Sequence, residues 1–135
     1  MSSNPAFYFG NAGRDQVRGS GWFIGQFVPP ALGLRHQDDV EIKWQVHPDG
    51  DARPQAWATG HATTISVLIR GCLRATFEIG ETPQTVVLER EGDYVIYSPQ
   101  TVHTWQAVGE TVVLTVRFPS VEVWQAAKAA DAARR

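Results

Sequence analysis

The sequence predicts an all-β sandwich or barrel closed by a short C-terminal helix, and three observations carry that reading. Short runs rich in β-branched and aromatic residues recur at regular spacing. Turn chemistry separates them, and no helical period emerges until about residue 120. The 135 residues fit one domain, able to bury roughly two-thirds of its unfolded surface. An apolar content of 43% argues against disorder.

Residues 1–21 are rich in Gly, Ser and Asn, without a clear period, and read as an N-terminal arm in which Phe7, Tyr8 and Phe9 could dock. The barrel is expected over residues 22–119. Trp22–Val28 reads as a first strand stopped by Pro29-Pro30, since proline lacks a ladder donor. Ala31–Asp39 reads as a loop. Val40–His47 alternates cleanly, with Ile42, Trp44 and Val46 on one face and Glu41, Lys43, Gln45 and His47 on the other. Burying each aliphatic side chain gains roughly 1.5–3 kcal/mol. Sinking Glu41 and Lys43 costs several kcal/mol per ion unless they are paired. The apolar face is therefore expected to win the core and the charged face to meet solvent. The reverse needs a second subunit over the apolar face, with the charged face lining a polar cavity.

His47-Pro48-Asp49-Gly50-Asp51 is turn chemistry, and the loop is expected to run to about Ala56. Trp57–Ile69 then reads as strand, ended by Arg70-Gly71, and Cys72–Ile79 returns. Thr85–Leu88 follows after the turn at Gly80–Pro83. Arg90–Asp93 turns again and opens an alternating strand. A short Pro-containing turn follows, a second strand of this hairpin starts at His103, and after a turn at Gly109-Glu110 Thr111–Phe118 is the last strand. From Ser120, a capping residue, to Arg135 the chain reads as a helix with Val123, Trp124 and Ala127 on one side.

Gly92-Asp93-Tyr94-Val95-Ile96-Tyr97-Ser98-Pro99-Gln100-Thr101-Val102-His103 resembles the second motif of the cupin family: a Gly-Asp turn, a strand, a Pro/Gly turn and a metal-ligating His. The Pro stands one place late, and the usual turn Gly is Gln100 or Thr101. The resemblance spans residues 40–118 and implies a double-stranded β-helix, a jelly-roll barrel. It also implies a homodimer and a small organic molecule inside the barrel. Counting back from Gly71, the family's first motif puts Thr64 in place of its Glu and its paired His near Trp57–Gly60. His103 alone carries over by position, with His61 one place off.

A site rebuilt from His47, His61 and His103 could hold one divalent transition metal (Zn, Fe, Ni or Mn), which needs about three converging ligands. A metal-free cavity is the competing expectation. There Thr64 and Ser66 leave room and hydroxyls, and His103, Trp105 and one of Tyr94 or Tyr97 share the interior. His103 would then be the catalytic acid or base, since imidazole titrates near 6.5. Isomerase, cyclase or lyase chemistry fits this set; dioxygenation would need iron. Non-catalytic binding or sensing is the alternative, with His103 a barrel-lining residue bonded to a tyrosine or carbonyl, His61 in solvent and His47 in a surface turn.

A net charge of −2 with dispersed acids and bases carries no basic stripe for nucleic acid. The single cysteine excludes an internal disulfide framework. Met1–Gly13 carries no basic leader with an apolar run, and no early stretch is long enough to span a bilayer, so a cytoplasmic protein is expected. No phosphate loop, nucleophile elbow or dinucleotide fingerprint is present.

Overall fold

The computed structural model describes residues 6–17, 19–57 and 60–120 and, for residues 54–57, the backbone alone. Among the described residues nine strands carry the fold: β1 (Trp22–Ile24), β2 (Glu41–His47), β3 (Ala52–Trp57), β4 (Thr63–Arg70), β5 (Leu73–Phe77), β6 (Gln84–Leu88), β7 (Tyr94–Tyr97), β8 (His103–Ala107) and β9 (Thr111–Phe118). They form a five-stranded sheet in the order β1-β2-β9-β4-β7 and a four-stranded sheet in the order β3-β8-β5-β6, paired antiparallel throughout. The two sheets face each other across one interior. Leu68, Leu73, Leu88 and Val113 fill one end of it, with Val86, Val95 and Trp105 packed against them.

Turn chemistry explains the corners. Gly71 ends β4 at φ +96°, where a side chain would be strained and would strike the Glu110 carbonyl. In the Gly92-Asp93 turn, the Asp93 carboxylate accepts from the backbone N–H groups of Arg90 (2.9 Å) and Glu89 (3.1 Å). Those bonds, Arg90's first, hold its pKa below the usual value. In the β7–β8 turn, Gln100 takes φ +64°. The position that the sequence comparison marked as a missing glycine thus keeps a glycine's conformation with a glutamine in it.

Three local expectations are corrected. The first strand ends at Ile24, because Gly25 at φ +153° turns the chain away. The loop after it contains a 3-10 turn, Pro30–Arg35. The stretch expected as a long loop and then one strand is two strands, β3 and β4, parted near Gly60. β3 lies at the edge of its sheet, where proline's missing N–H is tolerated, and its register against β8 shifts between Arg53 and Trp57, across Pro54.

Before β1, the one-turn helix α1 (Ala12–Asp15) is capped by Asn11, whose side chain accepts from Arg14 N–H at 3.2 Å. Tyr8 O–H donates to Asp15 at 2.9 Å, while Phe7 and Phe9 stand exposed. Of the expected C-terminal helix, residues 121–135 lie outside the described residues. No helix among the described residues is long and apolar enough to cross a membrane.

Candidate functional site

The inner face of the five-stranded sheet is set by register. Glu41 of β2 lies opposite Arg117 of β9, which lies opposite Thr64 of β4, which lies opposite Tyr97 of β7. One rung along come Lys43, Thr115, Ser66 and Val95, then Gln45, Val113 and Leu68. The interior therefore grades from ionic at one end to aliphatic at the other. The facing sheet contributes a row of Arg53, Trp105 and Ala75, and another containing His103 and Phe77. Between the sheets lies a cavity of about 50 Å³, whose lining includes Lys43, His47, Arg53, Tyr97, His103 and Arg117.

This overturns the expected orientation of β2. Glu41 and His47 are buried at 2% and 4% exposure, whereas Val46 is 53% exposed. The per-residue energies misjudged the face because Glu41 is paired, Lys43 packs over an aromatic ring and the interior is lined with polar groups. Arg117 Nη1 lies 3.5 Å from Glu41 Oε2, and Ser120 Oγ donates to Glu41 Oε1 at 2.6 Å. The Lys43 ammonium and the Arg117 guanidinium sit 4.9 and 4.8 Å from the centre of the Trp22 ring. Burial, then repulsion from Arg117 and Arg53, brings the Lys43 pKa down to about 8, against the attraction of Glu41. Burial also lowers that of Arg117, with Tyr97 and Glu41 opposing.

His103 is 4% exposed and points inward from β8. Its Nδ1 lies 3.1 Å from the Thr101 carbonyl, and its Nε2 lies 3.1 Å from Tyr97 Oη. A carbonyl only accepts, so Nδ1 carries the proton, and in the neutral ring Nε2 accepts from the Tyr97 hydroxyl. Burial raises the Tyr97 pKa, while Arg117, Thr64, Arg53 and Ser66 pull it back. His47 is held separately: Nδ1 donates to Asp51 Oδ2 at 2.7 Å, and its ring packs on Trp105 with centroids 4.5 Å apart.

Of the residues singled out in the sequence, the structure brings Ser66, Tyr97, His103, Trp105 and His47 to one cavity. Thr64 is wholly buried beside Tyr97. Tyr94 is not part of this set; at 64% exposure it lies on the outer face of β7. His61 is exposed and is not part of the cavity lining. The three-histidine site therefore does not assemble, and among the described residues no three His, Cys, Asp or Glu side chains stand together as a ligand set. The two histidines that do share the cavity share it with Lys43, Arg53 and Arg117. A divalent cation would meet like charge there, and the residues do not fit one.

Sequence reasoning missed Arg53, assigned to a loop, and Arg117, unremarked in the last strand. The signal was present in phase: β2 and β9 each carry one wholly apolar alternation, and the other is wholly polar in β2 and mixed in β9. Pairing the polar phase of β2 with the mixed phase of β9 sets Glu41 against Arg117.

No family sequence profile matches the chain, and no curated protein matches it in sequence. Solved structures do. A cupin superfamily protein from Desulfitobacterium hafniense superposes with TM-score 0.53 at 18% identity, over 61% of this chain and 69% of that one. KdgF from Halomonas sp. gives 0.54 at 16%, over 62% and 72%. An oxalate oxidase in complex with the substrate analogue glycolate gives 0.52 at 19%, over 62% of this chain and 43% of that one. These likenesses establish the architecture: the chain has the cupin fold, a double-stranded β-helix.

Proposed function

We propose that this cupin-fold chain acts on a small organic molecule held between its two sheets, by proton transfer without redox chemistry. The supporting observation is the Tyr97–His103 pair, 3.1 Å apart on the wall of a cavity that side chains leave partly unfilled. The Thr101 carbonyl fixes the tautomer that presents Nε2 inward, where it can take a proton from a bound molecule or relay one through the phenol. Ser66 and Trp105 line the same cavity, the first offering a hydroxyl and the second an apolar wall. Isomerisation, cyclisation or elimination all begin with such a step. No metal enters this scheme.

The test is hydrogen–deuterium exchange. Small neutral and anionic carbonyl compounds are incubated with the protein in D2O, and loss of C–H signal is followed by proton NMR. Exchange that falls at least about a hundredfold in His103→Ala supports acid–base catalysis, within the range such groups contribute. Binding without exchange on any compound would sink the catalytic reading and leave the binding-protein alternative.

The second subunit is also a proposal, supported by the outer face of the five-stranded sheet. Val46, Tyr94, Ile96 and Phe118 are exposed there, around half-buried Ile65, Val67, Leu114 and Val116. Four strands at about 4.8 Å spacing and about 20 Å of length present roughly 400 Å², near the largest apolar patch a monomer leaves bare. A second copy of the same face covers it fully, giving a dimer of modest affinity. Sedimentation velocity should find a dimer that Ile96→Lys converts to monomer. A wild-type protein monomeric at about 100 μM, well above a micromolar dissociation constant, would refute it.

A further inference from the structure

We infer that His47 is a second catalytic residue of the same cavity, an acid that returns a proton to the bound molecule, with Asp51 as its positioning partner. This rests on the proton-transfer reading of the Tyr97–His103 pair and adds the group that completes the transfer. His47 and His103 come from facing sheets, on β2 and β8, and both line the cavity. Trp105 neighbours each of them. It follows His103 by two residues on one face of β8, about 7 Å along the strand, and its ring packs on that of His47. A molecule of a few carbon atoms in that space therefore has two imidazoles on the walls around it.

The turn after β2 is built to hold the His47–Asp51 dyad. Gly50, at φ +82°, bends the chain back, and Asp51 N–H donates to the Pro48 carbonyl at 3.1 Å. The turn is tied to the end of β8: Ala107 N–H donates to the Asp51 carbonyl at 2.8 Å, and Gly50 N–H donates to the Ala107 carbonyl at 3.1 Å. Gly109 N–H donates to the Asp49 carboxylate at 2.7 Å. The Asp51 carboxylate is thereby fixed where it accepts from His47 Nδ1 at 2.7 Å. With Nδ1 committed, Nε2 is the nitrogen left to meet a ligand, and it has no hydrogen bond among the described residues. The His47 side chain is 5% exposed and that of Asp51 is 37% exposed. The dyad thus runs from the cavity to water, a route by which a ring that has given up its proton regains one.

A single carrier suffices to exchange a proton at one atom. Two carriers serve a reaction that takes a proton at one atom and returns one at another, which is isomerisation. In a small carbonyl compound with a double bond one carbon further along, His103 Nε2 takes a proton from the carbon between them, directly or through the Tyr97 hydroxyl. That C–H bond breaks, and its electron pair spreads over the carbonyl oxygen and the far carbon of the double bond. His47, protonated on both nitrogens, gives its Nε2 proton to that far carbon. A new C–H bond forms there, the double bond moves one place, and the carbonyl is restored. His103 has gained the proton that His47 lost, so neither the charge of the site nor the oxidation state of the molecule changes. Before the transfer the Asp51 carboxylate offsets the positive charge on His47 and fixes its ring.

The experiment reads the two proton movements separately. Pent-4-en-2-one is incubated with the full-length protein in D2O, and proton NMR follows loss of C–H signal beside the carbonyl and growth of the conjugated isomer, pent-3-en-2-one. Wild type should do both. His47→Gln should slow isomerisation at least about a hundredfold but exchange less than about tenfold, because His103 can still take a proton and return one to the same carbon. Asp51→Asn should lower the ratio of isomerisation to exchange at least about tenfold, through loss of the enforced tautomer. Imidazole nitrogen NMR should find a proton on His47 Nδ1 in wild type. Should His47→Gln not fold, Asp51→Asn carries the same ratio.

Isomerisation and exchange falling by one common factor in His47→Gln would mean that the ring only keeps the cavity in shape, and would overturn the inference. A wild-type His47 with a bare Nδ1 would overturn it too. Exchange of pent-4-en-2-one without isomerisation would remove the second carrier and leave the Tyr97–His103 reading standing. Neither exchange nor isomerisation would also refute the inference, and exchange on the other carbonyl compounds would decide the earlier reading by itself.

Discussion

Replacing Lys43 by methionine should make the protein more stable. The ammonium titrates at about 8 instead of 10.5 in the folded chain, chiefly because it is buried. At 1.36 kcal/mol per pKa unit, holding it charged at pH 7 costs about 3 kcal/mol. Methionine keeps the stem's packing and removes the charge, while the contact with Trp22, worth about 0.5–2 kcal/mol, is lost. A net gain of about 1–3 kcal/mol remains. The sign with pH follows from proton counting. Between pH 8 and 10.5 the unfolded chain holds a proton at Lys43 that the folded chain has lost. Folded stability therefore rises with pH across that window, and the penalty is complete only below it. Urea unfolding of wild type and Lys43→Met, followed by tryptophan fluorescence, should show the variant ahead at pH 7 and the gap closing toward about pH 10. A variant less stable at pH 7, or a gap that ignores pH, would refute the claim that Lys43 is buried at a cost.

Three further substitutions probe the same framework. Tyr97→Phe removes the hydroxyl that reaches His103 Nε2 and should cost about 1–3 kcal/mol in urea unfolding, the penalty for leaving a buried polar atom short of a partner. Glu41→Gln breaks the buried pair with Arg117 and should cost about 3–5 kcal/mol. It should also lower the Lys43 pKa beyond its present value, because Glu41 is the group that raises it; lysine side-chain NMR reads that shift. Gln100→Gly relieves a left-handed residue in the β7–β8 turn and should raise stability by about 0.5–1 kcal/mol, seen as a higher urea midpoint with unchanged slope.

The strands and corners were readable because their causes are local. Alternation, β-branching and glycine turns act within a few residues, and β4 through β9 lie close to where those signals put them. β3 was hidden because Pro54 speaks against a strand in isolation and is tolerated only at an edge, which is a property of the assembled sheet. The site was legible in part. The motif ending at His103 pointed to one imidazole and left Tyr94 and Tyr97 as alternatives, between which the structure turns Tyr97 inward. The rest depended on which face of β2 turns inward, a choice the residues of β2 cannot make alone. Arg117, seventy-six positions beyond Glu41, decides it by lying directly opposite in the antiparallel register. Transfer energies counted one residue at a time favoured the other face.

Because neighbouring side chains alternate, sliding β2 by a single residue would send Ile42, Trp44 and Val46 inward and expel Lys43, Gln45 and His47. That slipped protein would be greasier inside, plugged, and by simple transfer energy the better-filled object. What forbids it are the ionic marks at the two ends of the strand: Glu41 locked to Arg117 and Ser120, and His47 locked to Asp51. The hollow is thus kept open by two polar latches against a hydrophobic tendency to shut it, and cutting either latch threatens the emptiness before it threatens the fold.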